Sequence, residues 1–264
     1  MQDEWHRGMV GRAVGAPVAV SHLAAAIMAR IVRRDINAGA LSEPLLRRLQ
    51  EVAAATGRDQ DPVEALRLDM RRARVNAATL TDHYIPEAAR RLGCDWAGDR
   101  VSFAEVSIRT ARLQAILRNI GSGWSADDDG ARDGPAVLML VPEGDQHTLG
   151  AMIATARLRR MGVSVCLRPG IGRAALRDLL VQRGFDAAMI SVACTQRLEL
   201  CADLVKTLKD VSGGGLAVAV GGAVLLKDKD AVPCIGADIM TNDLNAALHA
   251  LGLTGSAARA VSRV

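Results

Sequence analysis

Four short apolar runs in the second half of the chain constrain its fold more than any other feature: AVLMLV at 136–141, VSVCL at 163–167, DAAMISVA at 186–193 and LAVAV at 216–220. A strand with one wet face would alternate apolar and polar residues, whereas these runs read as strands buried on both faces. Segments of helical period separate them, and strand–helix alternation of this kind requires a parallel sheet with right-handed crossovers. ADIM at 237–240 reads as a weaker fifth strand, followed by a last helix near 243–251. The predicted fold is therefore α/β, a flavodoxin-like, Rossmann-type parallel sheet whose ligands bind beyond the carboxyl ends of the strands.

The first half has a different pattern. From about residue 18 to 120 the sequence repeats helical periods and offers no convincing strand. SHLAAAIMARIVRRDINAG opens on Ser21 and closes near Gly39; SEPLLRRLQEVAAATG has Ser42 as a cap, an early Pro44 and Gly57 at its end. DPVEALRLDMRRA starts with Asp61 as cap and Pro62 at the first helical position, TLTDHYIPEAARRLG follows, and SFAEVSIRTARLQAILRNIG carries a capping box of Ser102 and Glu105. Helices of this length with short connections make a bundle. The segment GSGWSADDDGARDG at 121–134 has almost nothing to bury and reads as a linker. The expected division is a helical bundle over 1–120, the linker, an α/β domain over 135–252 and a mobile tail from 253 to 264.

Composition removes several classes of function. Aromatic residues make up only 2% of the chain, so the stacking platforms that hold single-stranded nucleic acid are scarce. A net charge of +4, with arginines spread through the helices, predicts weak or absent direct nucleic-acid binding. Five cysteines, at 94, 166, 194, 201 and 234, form no C-x-x-C pair and suit reduced thiols in a cytoplasmic protein; scattered metal ligands are the alternative. The apolar stretch near the start is broken by Ser21 and His22 and ends at Arg30, short of the about 20 residues of a membrane span, so no membrane association is expected. Nothing in the pattern specifies an oligomer.

At the carboxyl end of the first strand stands VPEGDQHTLGAM, residues 141–152. The loop lacks the G-x-G-x-x-G of a dinucleotide site and the lysine of a P-loop, and GIGRAA at 170–175 follows the second strand instead of the first. A phosphoacceptor receiver would need an Asp where the third strand ends in Ser191. What remains is a carboxylate beside an imidazole. Asp145 can accept a hydrogen bond from one ring nitrogen of His147, fixing the tautomer and aiming the other nitrogen outward as a metal ligand. Gly150, at the start of the next helix, lets something bulky approach the backbone. Asp145 as a helix cap and His147 as a solvated loop residue form the plainer alternative.

D-x-H-x-x-G after the first strand, a Ser at the end of the third and Gly-Gly after the fourth together resemble the cobalamin (vitamin B12)-binding domains, over about residues 134–251. The resemblance implies that the dimethylbenzimidazole base leaves cobalt, that His147 replaces it as lower axial ligand, and that the nucleotide tail enters a slot in the sheet. By the same resemblance Ser191 would bond the buried base, while Gly221 and Gly222 would leave room for the tail. The family has a Leu two residues after that Ser, where this chain has Ala193, a smaller residue that widens the slot.

RRLGCDWAGDRVSFAEVSIRTARLQ resembles the end of the helical bundle that covers the upper corrin face in light-responsive B12 regulators. Trp96 matches the Trp over the cobalt face, or else is a core residue between helices. In the adenosylcobalamin photoreceptors a Glu-His pair follows that Trp by ten and eleven positions; here Val106 and Ser107 stand there, which favours hydroxo- or aquocobalamin over adenosylcobalamin. Among the N-terminal imidazoles His6, His22 and His83, the last is the preferred candidate for an upper ligand, with a solvent-facing helix position as its alternative. The chain as a whole resembles the PpaA/AerR type of cobalamin-binding regulators of photosynthetic bacteria. That resemblance implies a non-enzymatic, light- or redox-responsive antirepressor that binds a DNA-binding transcription repressor. A corrinoid methyl carrier serving separate methyltransferases is the alternative.

Overall fold

In the computed structural model, which describes residues 41–55, 62–120, 134–226 and 235–253, five strands form one sheet in which every pairing is parallel. β1 (Ala136–Pro142) lies between β2 (Ser164–Ile171) and β3 (Ala187–Ser191); β4 (Ala217–Gly221) pairs with β3, and β5 (Ile239–Met240) closes the far edge. The order β2-β1-β3-β4-β5 puts a topological switch point between β1 and β3, so the loops after those two strands diverge and leave a crevice at the carboxyl edge. Leu140 pairs with Ile190 and Ser191 with Gly221, which brings the ends of β1, β3 and β4 level.

The strands bury both faces, alternating as the period of two demands. Leu138, Leu140, Ile190 and Val220 pack beneath α7 (Arg173–Gln182) and α8 (Leu198–Val211), meeting Leu176, Leu204 and Leu208. Val137, Met139, Val141 and Met189 face α6 (Leu149–Arg160) and α9 (Leu244–Ala250), meeting Ala151, Leu158 and Leu248. β2 runs past the expected VSVCL segment through Arg168, Pro169 and Gly170, all exposed. An edge strand tolerates this: Pro169 has no N–H to contribute, and the register shifts where Pro142 pairs with Ile171.

Among the described residues the bundle comprises α1 (Glu43–Ala54), α2 (Pro62–Arg72), α3 (Ala77–Thr79), α4 (Ile85–Ala97) and α5 (Phe103–Ile120). A π-helical turn, Leu80–Tyr84, joins α3 to α4. Its cause is Pro86, which lacks the N–H that an α-helix would direct to Asp82 and whose ring crowds that carbonyl. The expected capping box is present: Ser102 Oγ accepts from the Glu105 N–H at 3.2 Å, and the Glu105 carboxylate accepts from the Ser102 N–H at 2.9 Å. Ser42 stands at its cap position, but its side chain makes no cap bond; its N–H donates to the buried Tyr84 hydroxyl at 2.9 Å. The helix expected over 21–39, with His22, and also His6, Asp61 and Cys234, lie outside the described residues, as do nearly all of the linker and tail.

α6 belongs to two cores at once. Ala151 and Leu158 face the sheet, while Leu149, Met152, Ile153 and Ala156 pack with Leu46, Leu49, Leu80 and Leu113 of the bundle. No helix among the described residues is long and apolar enough to cross a membrane.

Candidate functional site

After β1 the chain turns within Pro142–Asp145: the Asp145 N–H donates to the Pro142 carbonyl at 3.1 Å, and Gly144 takes φ +73°, a conformation that favours glycine. The turn drives the Asp145 side chain inward, to 1% exposure, and leaves that of His147 68% exposed. Asp145 Oδ1 accepts from the His147 N–H at 3.0 Å and pairs with His147 Nδ1 at 2.9 Å; Oδ2 accepts from the Ala193 N–H at 3.2 Å. Burial pushes the Asp145 carboxyl upward, but the hydrogen bonds from the His147 ring and from the two backbone amides outweigh it and hold the group below its ordinary value. An ionised carboxylate only accepts, so Nδ1 carries a ring proton, and in the neutral ring Nε2 keeps the lone pair. The expected Asp145–His147 hydrogen bond is thus observed. The helix-cap alternative for Asp145 is not, because its carboxylate is taken by His147 and Ala193.

The surroundings of His147 come from several elements. Thr148 Oγ1 accepts from Gln114 Nε2 at 3.0 Å, tying the loop to α5 of the bundle. Gly150, exposed in the first turn of α6, has nothing within 4 Å of where a Cβ would be, so among the described residues no neighbour requires a glycine there and the space above it is open. Ser191 ends β3 half-buried, and its hydroxyl has no hydrogen-bond partner among the described residues. Ala193 supplies its amide to Asp145 from the loop that follows.

Gly221 and Gly222 also lie at this edge, and the chain's own backbone requires both. A Cβ on Gly221 would stand 2.9 Å from the Thr241 carbonyl oxygen; one on Gly222, at φ +111°, would stand 2.2 Å from the Val192 carbonyl oxygen. Asn242 fastens the turn, its Oδ1 accepting from the Gly222 N–H at 2.6 Å and its Nδ2 donating to the Gly222 carbonyl at 3.2 Å.

On the bundle, Trp96 is half-buried near the end of α4 and tilts against Phe103, ring centroids 6.0 Å apart at 54°. Phe103 is 69% exposed. Phe103, Ser107, Thr110 and Gln114 share one face of α5, and Gln114 is the residue that reaches Thr148, so this stripe leads to the His147 turn. His83 is not brought there. Its π turn is tied by Asp82 to Arg160, the last of the 12 residues of α6, whereas His147 precedes the first turn of that helix. The two imidazoles thus attach near opposite ends of a helix about 18 Å long.

Among the described residues no group of three or more His, Cys, Asp or Glu side chains could hold a bare metal ion. The described cysteines, 94, 166, 194 and 201, do not assemble one, and burial pushes the Cys201 thiol up to about 12, making it inert. A single outward imidazole, backed by a carboxylate, suits a metal that arrives with most of its ligands in place. The contributions of the Ala193 N–H, Asn242 and Gln114 had no signal in the sequence.

No family model matches the chain. Among solved structures, the monomethylamine corrinoid protein of Methanosarcina barkeri superposes with a TM-score of 0.60 at 16% identity, over 80% of this chain and 97% of that one, and shares the fold. A cobalamin-binding protein from Desulfitobacterium hafniense DCB-2 gives a TM-score of 0.40 at 15% identity, over 78% and 95% of the two chains. In sequence, the chain is 43% identical over 185 residues to the "Uncharacterized 20.5 kDa protein in bchF-crtJ intergenic region" of Rhodobacter capsulatus, covering 70% of this chain and 96% of that protein. With that identity over nearly the whole length of the relative, the chain belongs to the family of the Rhodobacter capsulatus bchF-crtJ intergenic-region protein.

Proposed function

We propose that this chain binds cobalamin at the carboxyl edge of the sheet, with His147 Nε2 as the protein's ligand to cobalt, and that it acts as a regulator through contact with a DNA-binding transcription repressor. The observation that carries the binding reading is the His147 ring, locked through Nδ1 by the buried Asp145 carboxylate while most of its surface stays exposed, with open space at the Cβ position of Gly150 three residues on. The fold shared with the monomethylamine corrinoid protein of Methanosarcina barkeri adds support. Ser191, whose hydroxyl has no partner among the described residues, would bond a buried polar atom of the nucleotide, Gly221, Gly222 and Ala193 border the same edge, and Trp96 would cover the upper side of the corrinoid. When bound, the corrinoid supplies a metal centre with an exchangeable upper position. Val106 and Ser107 stand where the adenosylcobalamin photoreceptors have their Glu-His pair, which favours a small hydroxo or aquo ligand over an adenosyl group.

Replacing Asp145 by Asn tests the support of the ring. The amide can still accept from His147, but its NH₂ then meets the His147 or Ala193 donors, a buried donor–donor conflict. Cobalamin affinity is expected to fall about 10- to 100-fold, the range for an outer partner of a metal-bound histidine, as measured by absorbance titration.

For the regulatory role, a shift of the His147 turn has a physical route into the bundle: through Thr148 to Gln114, and through Leu149 into the bundle core. A light- or redox-dependent ligand state would then bias the surface the bundle offers to a partner. The methyl-carrier reading is favoured by one observation, the fold shared with a monomethylamine corrinoid protein. Capture from cell extract with the apo and cobalamin-loaded protein separates the two. A DNA-binding repressor retained by only one form supports the regulator, whereas retention of a methyltransferase with methyl turnover on the bound cofactor makes the carrier reading correct.

A further inference from the structure

We propose that Arg197 is a positioning residue, clamping the turn that presents His147; this inference rests on the reading of His147 as the cobalt ligand. The Arg197 guanidinium donates to the Gly144 carbonyl at 3.0 Å, one residue before Asp145. A Cβ on Gly144 would stand 2.9 Å from a guanidinium nitrogen, so the glycine serves both the positive φ of the turn and the approach of the arginine. The second tether, the Ala193 N–H on Asp145, comes from the same β3–α8 connection. Two bonds from one short stretch, 193 and 197, thus hold consecutive residues of the His147 turn.

The position argues independently for a task of this kind. Arg197 is the cap residue of α8 and makes no side-chain cap bond. A 3-10 turn, Thr195–Arg197, leads directly into α8, so the open helix end lies at Cys194 and the Arg197 side chain is left to other partners. A side chain that does nothing for its own helix, yet reaches across to a backbone carbonyl of the His147 turn, serves that tertiary bond. Its action on His147 is indirect: with the Gly144 peptide fixed, the Asp145 carboxylate stays aimed at His147 Nδ1.

The test compares Arg197→Ala and Arg197→Lys with wild type in two ways. In the apo protein, nitrogen NMR of the His147 ring and amide hydrogen exchange at Asp145 and His147 report the turn without any cofactor. Arg197→Ala is expected to lose the fixed Nδ1–H tautomer and to exchange those amides at least about 10-fold faster. Arg197→Lys should recover part of the effect, since an ammonium can donate to the same carbonyl with less geometric control. Hydroxocobalamin titration of the same variants should show a loss of about 10- to 100-fold for Arg197→Ala, with the His-ligated spectrum weakened. An unchanged ring tautomer and unchanged exchange in Arg197→Ala overturn the proposal. If those apo signals move while wild type itself fails to bind hydroxocobalamin, the clamp stands and the ligand reading falls.

Discussion

Mixed with hydroxocobalamin, the His147→Ala protein is expected to leave the cofactor with the absorption spectrum it has free in solution, and its affinity should fall by more than the about 100-fold upper range for outer partners of a metal ligand. The substitution removes the outward nitrogen and little else. Of the three donors on the Asp145 carboxylate, the His147 ring is lost, but the His147 and Ala193 backbone amides remain at 3.0 and 3.2 Å. The carboxylate is therefore not stranded, and the turn keeps its backbone bond from Asp145 to Pro142. A loss of ligation can then be assigned to the imidazole instead of to a collapsed loop. An unchanged spectrum and affinity would remove His147 from the site.

Gly222→Ala is the second substitution with a large expected effect, and it strikes the fold before any ligand. At φ +111° an L-residue is strained by about 1–3 kcal/mol. The added Cβ would also lie 2.2 Å from the Val192 oxygen and 2.7 Å from its nitrogen, atoms that cannot swing away as a side-chain tip can. That peptide is in use: the Val192 N–H donates to Gly221 at 2.9 Å and its carbonyl accepts from Val224 at 3.2 Å. Strain plus displaced backbone bonds should cost about 3 kcal/mol or more, visible as a lowered urea midpoint. An unfolding midpoint equal to wild type would show that the close approach is absent. Gly150→Ala is the matched control: with nothing near its Cβ, stability should hold or rise slightly. The sequence-based expectation, that glycine at 222 serves only a ligand's tail, underestimates what the sheet itself demands there.

This contrast marks how far the sequence could be read. The central strands were legible because burial on both faces leaves unbroken apolar runs, and the Asp145–His147 pair was legible because its partners are two residues apart. The extension of β2 through Arg168, Pro169 and Gly170 was not, since an edge strand needs neither apolar residues nor every N–H. The fasteners of the site were hidden for another reason. Gln114 lies 34 residues from Thr148, Ala193 lies 48 from Asp145, and Arg197 lies 53 from Gly144, so only the strand order brings them together. In the case of Ala193 the working group is a backbone amide, which carries no residue identity. Ser42 shows the reverse: the right residue at the right place, whose side chain makes no cap bond while its backbone N–H donates to the Tyr84 hydroxyl.

The double allegiance of α6 bears on how such a chain can be divided. Its sheet-facing residues and its bundle-facing residues alternate along one helix, so neither half owns it. Cut away the bundle, and Leu149, Met152, Ile153 and Ala156 become a bare apolar stripe directly behind the His147 turn. The helical half is thus not a separable cap that could be lost or exchanged while the sheet carries on alone. Inheritance of the sheet in this form requires inheritance of a bundle that fits the outer face of α6.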